Sequence, residues 1–443
     1  MLTAQENETL TRVEGDAPMG RLMRRHWIPA ALSEQLAEPD GKPIRLTLLG
    51  EKLVAFRDSE GRLGVLGEFC PHRKASLAFG RNEDCGLRCL YHGWKFDVEG
   101  NVIDMPSEPR ESGFAERVKH KAYPVREAGG FVWTYMGEPS QMPEFEPPPW
   151  APTPDTRIAI MRVDLPCNWA QIMEGQIDSA HSSSLHSSDM KPARGEAQAL
   201  DTHWVRPSTD KNPRIQVQVT NYGMRYAAIR RPITQATTHD YVRITTYVAP
   251  FIALIPPNAS YNVASVIVPK DDTSSYFHFI AWSDKGGGIE TEAWRRFCVM
   301  QVGVDLDDEF RPIKRFAHND YLQDRAAMKD GNFTGIPGIP NQDIAMWESM
   351  GAISDRTSER LGASDIAVIQ FRRILLDAVA RHEAGAEPIG LSAPHLPLVQ
   401  LASYQGVVPK TEDWRKLGAS ADEVAVLDGL EEDETEREMS QAV

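Results

Sequence analysis

The chain has 443 residues, with 48 Lys and Arg against 63 Asp and Glu, so its formal net charge is −15. That acidity excludes a nucleic-acid binder, which needs a basic face to neutralise phosphates, and disfavours adsorption to anionic lipid. A charged fraction of 25% and a hydrophobic fraction of 41% describe globular material with ample core, and five cysteines are too few, and odd in number, for a disulfide scaffold.

At about 150 residues per domain the length predicts two to three domains. The opening MLTAQENETLTRVEGDAPMG is polar and acidic and lacks the apolar stretch of a signal peptide. No apolar run approaches the roughly 20 residues that span a bilayer. The expectation is a soluble, reduced, cytoplasmic protein. Residues 13 to 36, with MGRLMRRHWIPAALSEQL, predict a helical opening segment punctuated by Pro18 and Pro29. From about 43 to 137 short alternating runs, IRLTLLGEKLVAF, LGVLGEF, GWKFDVEGNVID and KAYPVREAGGFVWTYMG, are split by glycine-containing turns. They predict a small antiparallel β domain. The proline-rich stretch 142–155 predicts an extended linker, which places a first domain over 1–141 and a second over 156–443. In the second, strand-like runs are followed by two helical patterns. In the later one Ile366, Ile369, Phe371, Ile374, Leu375 and Val379 form an apolar stripe. Strands followed by helices predict an α+β fold on an antiparallel sheet. The acidic tail from about residue 429 predicts a frayed terminus.

Three of the cysteines fall in one segment, CPHRKASLAFGRNEDCGLRCLYHGWKFD, residues 70 to 97. It carries Cys70-x-His72 and, after sixteen intervening residues, Cys89-x-x-His92. Two thiolates and two imidazoles suit tetrahedral zinc, or a 2Fe–2S cluster in which two histidines serve one iron. A zinc finger groups its cysteines and then its histidines. Here each loop delivers one of each, and both loops sit between β runs. The pattern resembles a Rieske cluster motif. That resemblance implies Cys70 and Cys89 on a buried iron and His72 and His92 on an outer one, with Cys85 an unligated thiol. A ferredoxin needs only about 110 residues, so the remaining chain predicts a second site fed by the cluster.

The second domain opens with CNWAQIMEGQIDSAHSSSLHSSDM, residues 167 to 190. On a regular helix His181 and His186 would point about 140° apart, so convergence on one metal requires a distorted or ended helix, which Ser182, Ser183 and Ser184 favour. Asp178 lies three residues before His181, and Glu174 four before Asp178. After a Rieske motif, Asp-x-x-His-x-x-x-x-His resembles the mononuclear iron motif of Rieske non-haem iron oxygenases. The resemblance implies His181 and His186 as two ligands of a facial triad for Fe(II). It implies Asp343, in GIPGIPNQDIAMWESMG, as the third, ahead of Asp320, Asp324 and Asp355. Asp178 would link an iron-bound histidine to a Rieske histidine of the neighbouring subunit.

The family implies an all-β Rieske domain followed by an antiparallel-sheet, helix-grip (START-like) catalytic domain. The opening TRVEGDAPMGRLMRRHWIPAALSEQL, the segment EDCGLRCLYHGWKFD and IMEGQIDSAHSSSLH are similar to the phthalate-dioxygenase branch, whose α chains form trimers or stacked trimers. In that branch paired arginines hold an aromatic carboxylate. Arg206 and Arg243 are the preferred positions, with Arg225, Arg230 and Arg231 behind them, and Phe251 and Ile255 could stack on the ring. The implied activity is cis-dihydroxylation of phthalate or a related aromatic carboxylate, with O2 as cosubstrate and electrons from NADH through a separate flavin and iron–sulfur reductase. An aryl-ether O-demethylase or chlorobenzoate-type oxygenase is the alternative within the branch. A Rieske electron-transfer protein is the alternative outside it.

Overall fold

The computed structural model describes residues 1–153, 155–192, 204–256, 261–283 and 288–429. It divides into two compact units. One comprises Arg12–Phe145 with Val268–Asp272, and the other Met1–Thr11, Glu146–Ile267 and Thr273–Val443. The first 11 residues therefore group with the second unit, where Ala4–Thr11 is helical. The acidic tail lies outside the described residues.

The first unit is built of three small antiparallel sheets. Ile44–Leu48, Glu51–Arg57, Leu63–Gly67 and Ala122–Tyr123 form one. Arg81–Glu83, Gly86–Arg88, Lys95–Phe96 and Val102–Asp104 form another, and it flanks the cysteine loops. The core joins Val54, Phe56, Leu66, Leu77, Leu87, Trp94 and Phe96 to both loop cysteines. The third sheet corrects the expected helical opening. Only Pro18–Arg24 is α-helical, and Trp27–Leu32 is an edge strand paired with Phe131–Tyr135. Pro29 explains the change. It cannot donate inside a helix, but an edge strand tolerates it, and the register shifts between Pro29 and Ala31.

The second unit holds an eight-stranded antiparallel sheet. Its order is Arg157–Leu165, Ser275–Ser283, Asn262–Pro269, Ile252–Ile255, His239–Val248, Gly223–Arg230, Arg214–Thr220, with Tyr404–Pro409 pairing the start of His239–Val248. Every residue of Gly223–Arg230 is buried, so both faces of the sheet are covered there. Arg225 and Arg230 of that strand are consequently cut off from solvent. Three helices matter for the site: Trp169–Ile177, Ile339–Ser349 and Ile366–Glu383. The last buries Ala367, Val368, Phe371, Ile374, Leu375, Ala378 and Val379. Ile366, expected in that stripe, is 41% exposed at the first residue of the helix. The boundary between units falls after Phe145, Trp27 Nε1 donates to the Pro143 carbonyl, and Trp150 is fully buried.

Candidate metal centres and the adjoining cation cluster

The cysteine loops of the first unit close by matching turns. Lys74 N donates to the Cys70 carbonyl at 2.9 Å and Gly93 N to the Cys89 carbonyl at 3.0 Å. Gly93 has φ +77°, and a Cβ there would meet Pro106 Cγ at 2.7 Å, so the second turn requires glycine. These turns place both thiols inside and both imidazoles outside. Cys70 and Cys89 are each 2% exposed, whereas His72 and His92 are half-buried with ring centroids 4.4 Å apart. His72 stacks on Trp94 at 4.6 Å, and Trp94 Nε1 donates to Ser107 Oγ. Burial pushes the Cys70 thiol up to about 11, and Cys89 beside it adds to the effect. Two adjoining buried sulfurs and two adjoining outer imidazoles are the donor set that a two-iron cluster with unlike ends requires. Cys85 is half-buried, away from this set, and Cys167 and Cys298 are buried free thiols in the second unit.

In the second unit, Asn168 caps the helix Trp169–Ile177 by accepting from Ala170 N at 3.0 Å. The helix ends at Asp178, whose backbone is extended, and His181–Ser183 then forms a separate 3₁₀ turn. That break removes the 140° divergence of a regular helix. The rings of His181 and His186 lie 4.9 Å apart, and their Nε2 atoms 3.1 Å apart. Asp343 enters from the helix Ile339–Ser349. Its Oδ1 lies 3.1 Å from His186 Nε2 and 3.6 Å from His181 Nε2. Among the described residues these three gather ligand atoms within 4.8 Å of one another. Of the other aspartates considered, Asp320 is exposed, Asp324 caps Ala326 and Ala327, and Asp355 accepts from Thr357.

Proton placement makes this an electron-rich pocket. Gln342, fully buried, donates through Nε2 to Asp189 Oδ2 at 2.7 Å and to the Ile336 carbonyl at 2.9 Å. Its Oε1 is therefore the atom 2.8 Å from His186 Nδ1, and only an imidazole N–H satisfies it. His181 Nδ1 lies 3.3 Å from Asp178 Oδ2 without hydrogen-bond geometry, and the negative charge there favours the proton of that ring on Nδ1. Both Nε2 lone pairs then face each other and the Asp343 carboxylate. Three acceptors at these distances need a cation between them, so the residues fit a metal ion. Charge acts in the same direction. Burial opposes a positive His181, but Asp178 and Asp343 together hold its pKa above the ordinary value. Asp178 itself is kept ionised, against the effect of burial, by His181 and by the backbone N–H groups of Ala180 and His181. Gln342 and Asp189 are absent from the sequence-based expectation. The only available signal was the position of Gln342 beside Asp343. Glu174 serves structure, paired with Arg356 at 2.8 Å and Arg372 at 2.7 Å.

The ligand-bearing turn is flanked by buried arginines. Arg206 donates to Ser183 Oγ at 3.1 Å and Ser182 Oγ at 2.9 Å. Arg243 donates to the Pro256 carbonyl at 3.1 Å and approaches Tyr241 Oη at 3.3 Å. Arg230 donates to the Ser179 carbonyl at 2.8 Å. Burial first, then the fields of Arg243 and Arg230, lowers Arg206 to about 9. Arg225 is engaged elsewhere, by Glu423 and by the carbonyls of Arg415 and Leu417, and Arg231 is exposed. Phe251 is buried and Ile255 half-buried.

Residues 26–124 match the Rieske [2Fe-2S] domain family, and residues 134–437 match the family described as LigXa C-terminal domain like. The chain belongs to the Rieske non-haem iron oxygenases, as an oxygenase component whose cofactors are a Rieske 2Fe–2S cluster and mononuclear iron. It is 59% identical over 416 residues to the phthalate 4,5-dioxygenase oxygenase subunit of Pseudomonas putida, covering 94% of each chain. It is 37% identical to the 3-chlorobenzoate-3,4-dioxygenase oxygenase subunit of Comamonas testosteroni, covering 94% of this chain and 97% of that one. Among solved structures, NdmB of Pseudomonas putida CBB5 shares the fold, with a TM-score of 0.58 at 18% identity over 82% of this chain and 93% of that one. No described helix is long and apolar enough to cross a membrane.

Proposed function

We propose that this chain cis-dihydroxylates phthalate or a related aromatic carboxylate, receiving electrons from NADH through a separate flavin and iron–sulfur reductase. The observation that carries this reading is the buried arginine group against the metal-ligand turn. Its cations suit a carboxylate, and its place suits presenting a ring to the metal. The 59% identical relative is a phthalate dioxygenase subunit, which supports the same substrate class. The overall change balances as substrate, O2, NADH and one proton giving the cis-diol and NAD⁺.

In this reading Cys70, Cys89, His72 and His92 hold the cluster, and His181, His186 and Asp343 hold the iron. When bound, the cluster supplies electrons singly and the ferrous ion supplies the site at which O2 reacts. The remaining work falls to the chain. The planar forks of Arg206 and Arg243 grip the substrate carboxylates and fix which ring edge faces the metal. Gln342 holds the proton of His186 on Nδ1, and Asp178 does the same for His181. In the same reading Asp178 links His181 to a Rieske histidine of the neighbouring subunit, and the assembly is a homotrimer or stacked trimers. NADH and O2 uptake with a compatible reductase tests the reading. Uptake of one O2 per NADH with phthalate, each matched by one molecule of diol, is expected. Uptake without product, or turnover confined to neutral aromatics, would contradict it.

A further inference from the structure

The third buried cation, Arg230, has no role in that account. It ends the strand Gly223–Arg230 and is 1% exposed. Its Nη2 is used, donating to the Ser179 carbonyl at 2.8 Å and to Ser183 Oγ at 3.3 Å. Its Nε and Nη1 are buried without a hydrogen-bond partner, as is Nε of Arg206. Neither Arg206 nor Arg230 forms an ion pair with any described residue. Asp210 contributes a field, but its carboxylate accepts from the backbone N–H groups of Asn212 and Arg231. Burial and then the charge of Arg243 lower Arg230 to about 10.

Ser183 Oγ is shared by Arg206 and Arg230, at 3.1 Å and 3.3 Å. The two guanidiniums therefore flank one hydroxyl of the His181–Ser183 turn and retain three unused donors between them. Buried charge of one sign without a partner is strongly unfavourable, and a bound anion removes the penalty. A single carboxylate compensates one of these two guanidiniums, whereas a dianion compensates both. The geometry points to Arg230 as a third cation of the anion site, a specificity-determining residue that selects aromatic dicarboxylates over monocarboxylates. This rests on the reading that the cluster binds the substrate carboxylate.

Equilibrium binding of phthalate and of benzoate to the full-length, metal-loaded protein tests it. Wild type, Arg230→Gln and Arg230→Lys are compared, with the Rieske absorption as the check on folding. Arg230→Gln is expected to weaken phthalate by about tenfold or more and benzoate by less than about threefold, and Arg230→Lys to keep most of the preference. Equal loss for both acids, or no loss, overturns the role of Arg230 and leaves the substrate reading intact. If only Arg230→Lys folds, loss of the phthalate preference in that variant overturns the role equally. A wild type that binds neither acid overturns both.

Discussion

Gln342 and Asp178 occupy equivalent places, each against the Nδ1 of one proposed histidine ligand, yet they differ in charge and surroundings. Gln342 is neutral, fully buried and tied to Asp189, so its work is to fix the His186 tautomer. Replacing it with Leu frees that tautomer and strands the Asp189 carboxylate. We expect Gln342→Leu to lower iron affinity about 10- to 100-fold while labile sulfide stays at the wild-type level. Unchanged iron content after chelator competition would contradict the role. Asp178 is ionised and only part-buried, with capacity for a second partner. Asp178→Asn should retain both metal centres but greatly slow oxidation of the Rieske centre in a single turnover. A normal rate would remove the proposed link between subunits. The types and spacing of Cys70, His72, Cys89, His92, His181 and His186 were legible in sequence, because each loop must present its ligands within a few residues. Gln342 to His186 and Arg230 to Ser183 were not, because those contacts join segments far apart in the chain.

At the scale of elements, the proposed metal set depends on how two helices meet. Trp169–Ile177 leads into the histidine turn and Ile339–Ser349 carries Asp343, so their separation sets the span between the ligands. Gly175 makes the close approach possible. A Cβ at that position would lie 2.2 Å from Trp347 Nε1, which belongs to the buried face of the second helix. Gly175→Ala must therefore displace Trp347 or the helix. The expected cost is about 1–3 kcal/mol of stability together with reduced iron occupancy. Wild-type unfolding midpoint and iron content in that variant would show the contact to be slack. Element types were partly legible. The alternating runs of the first unit and the strands-then-helices order of the second follow from hydrophobic periodicity. Trp27–Leu32 was misread because its apolar residues suit either period, and pairing with Phe131–Tyr135 decides the outcome.

For the whole molecule, burial of neutral histidines sets a pH limit apart from the metal sites. His278 is held well below its ordinary 6.5 by burial, with Arg162 adding to the effect, and burial likewise lowers His120. Above about pH 6.5 both rings are neutral in folded and unfolded chains, and their environments are stabilising without penalty. As the pH falls below that value the unfolded chain takes up protons that the folded chain refuses. Stability is then lost at roughly 1 kcal/mol per pH unit for each ring, until the lowered folded value is reached. Denaturant unfolding at pH 7.5, 6 and 5 should show this decline, and His278→Asn should make it shallower. Equal slopes in the two proteins would remove His278 from the account. The net charge of −15 sharpens the contrast inside the molecule, since an acidic protein keeps Arg206 and Arg230 buried against the His181–Ser183 turn. The most direct test of what that site does is turnover of phthalate under ¹⁸O2 with mass analysis of the product. Both labelled atoms in a single cis-dihydrodiol are predicted, whereas one labelled atom with release of formaldehyde from a methoxylated acid, and no diol from phthalate, would contradict dihydroxylation.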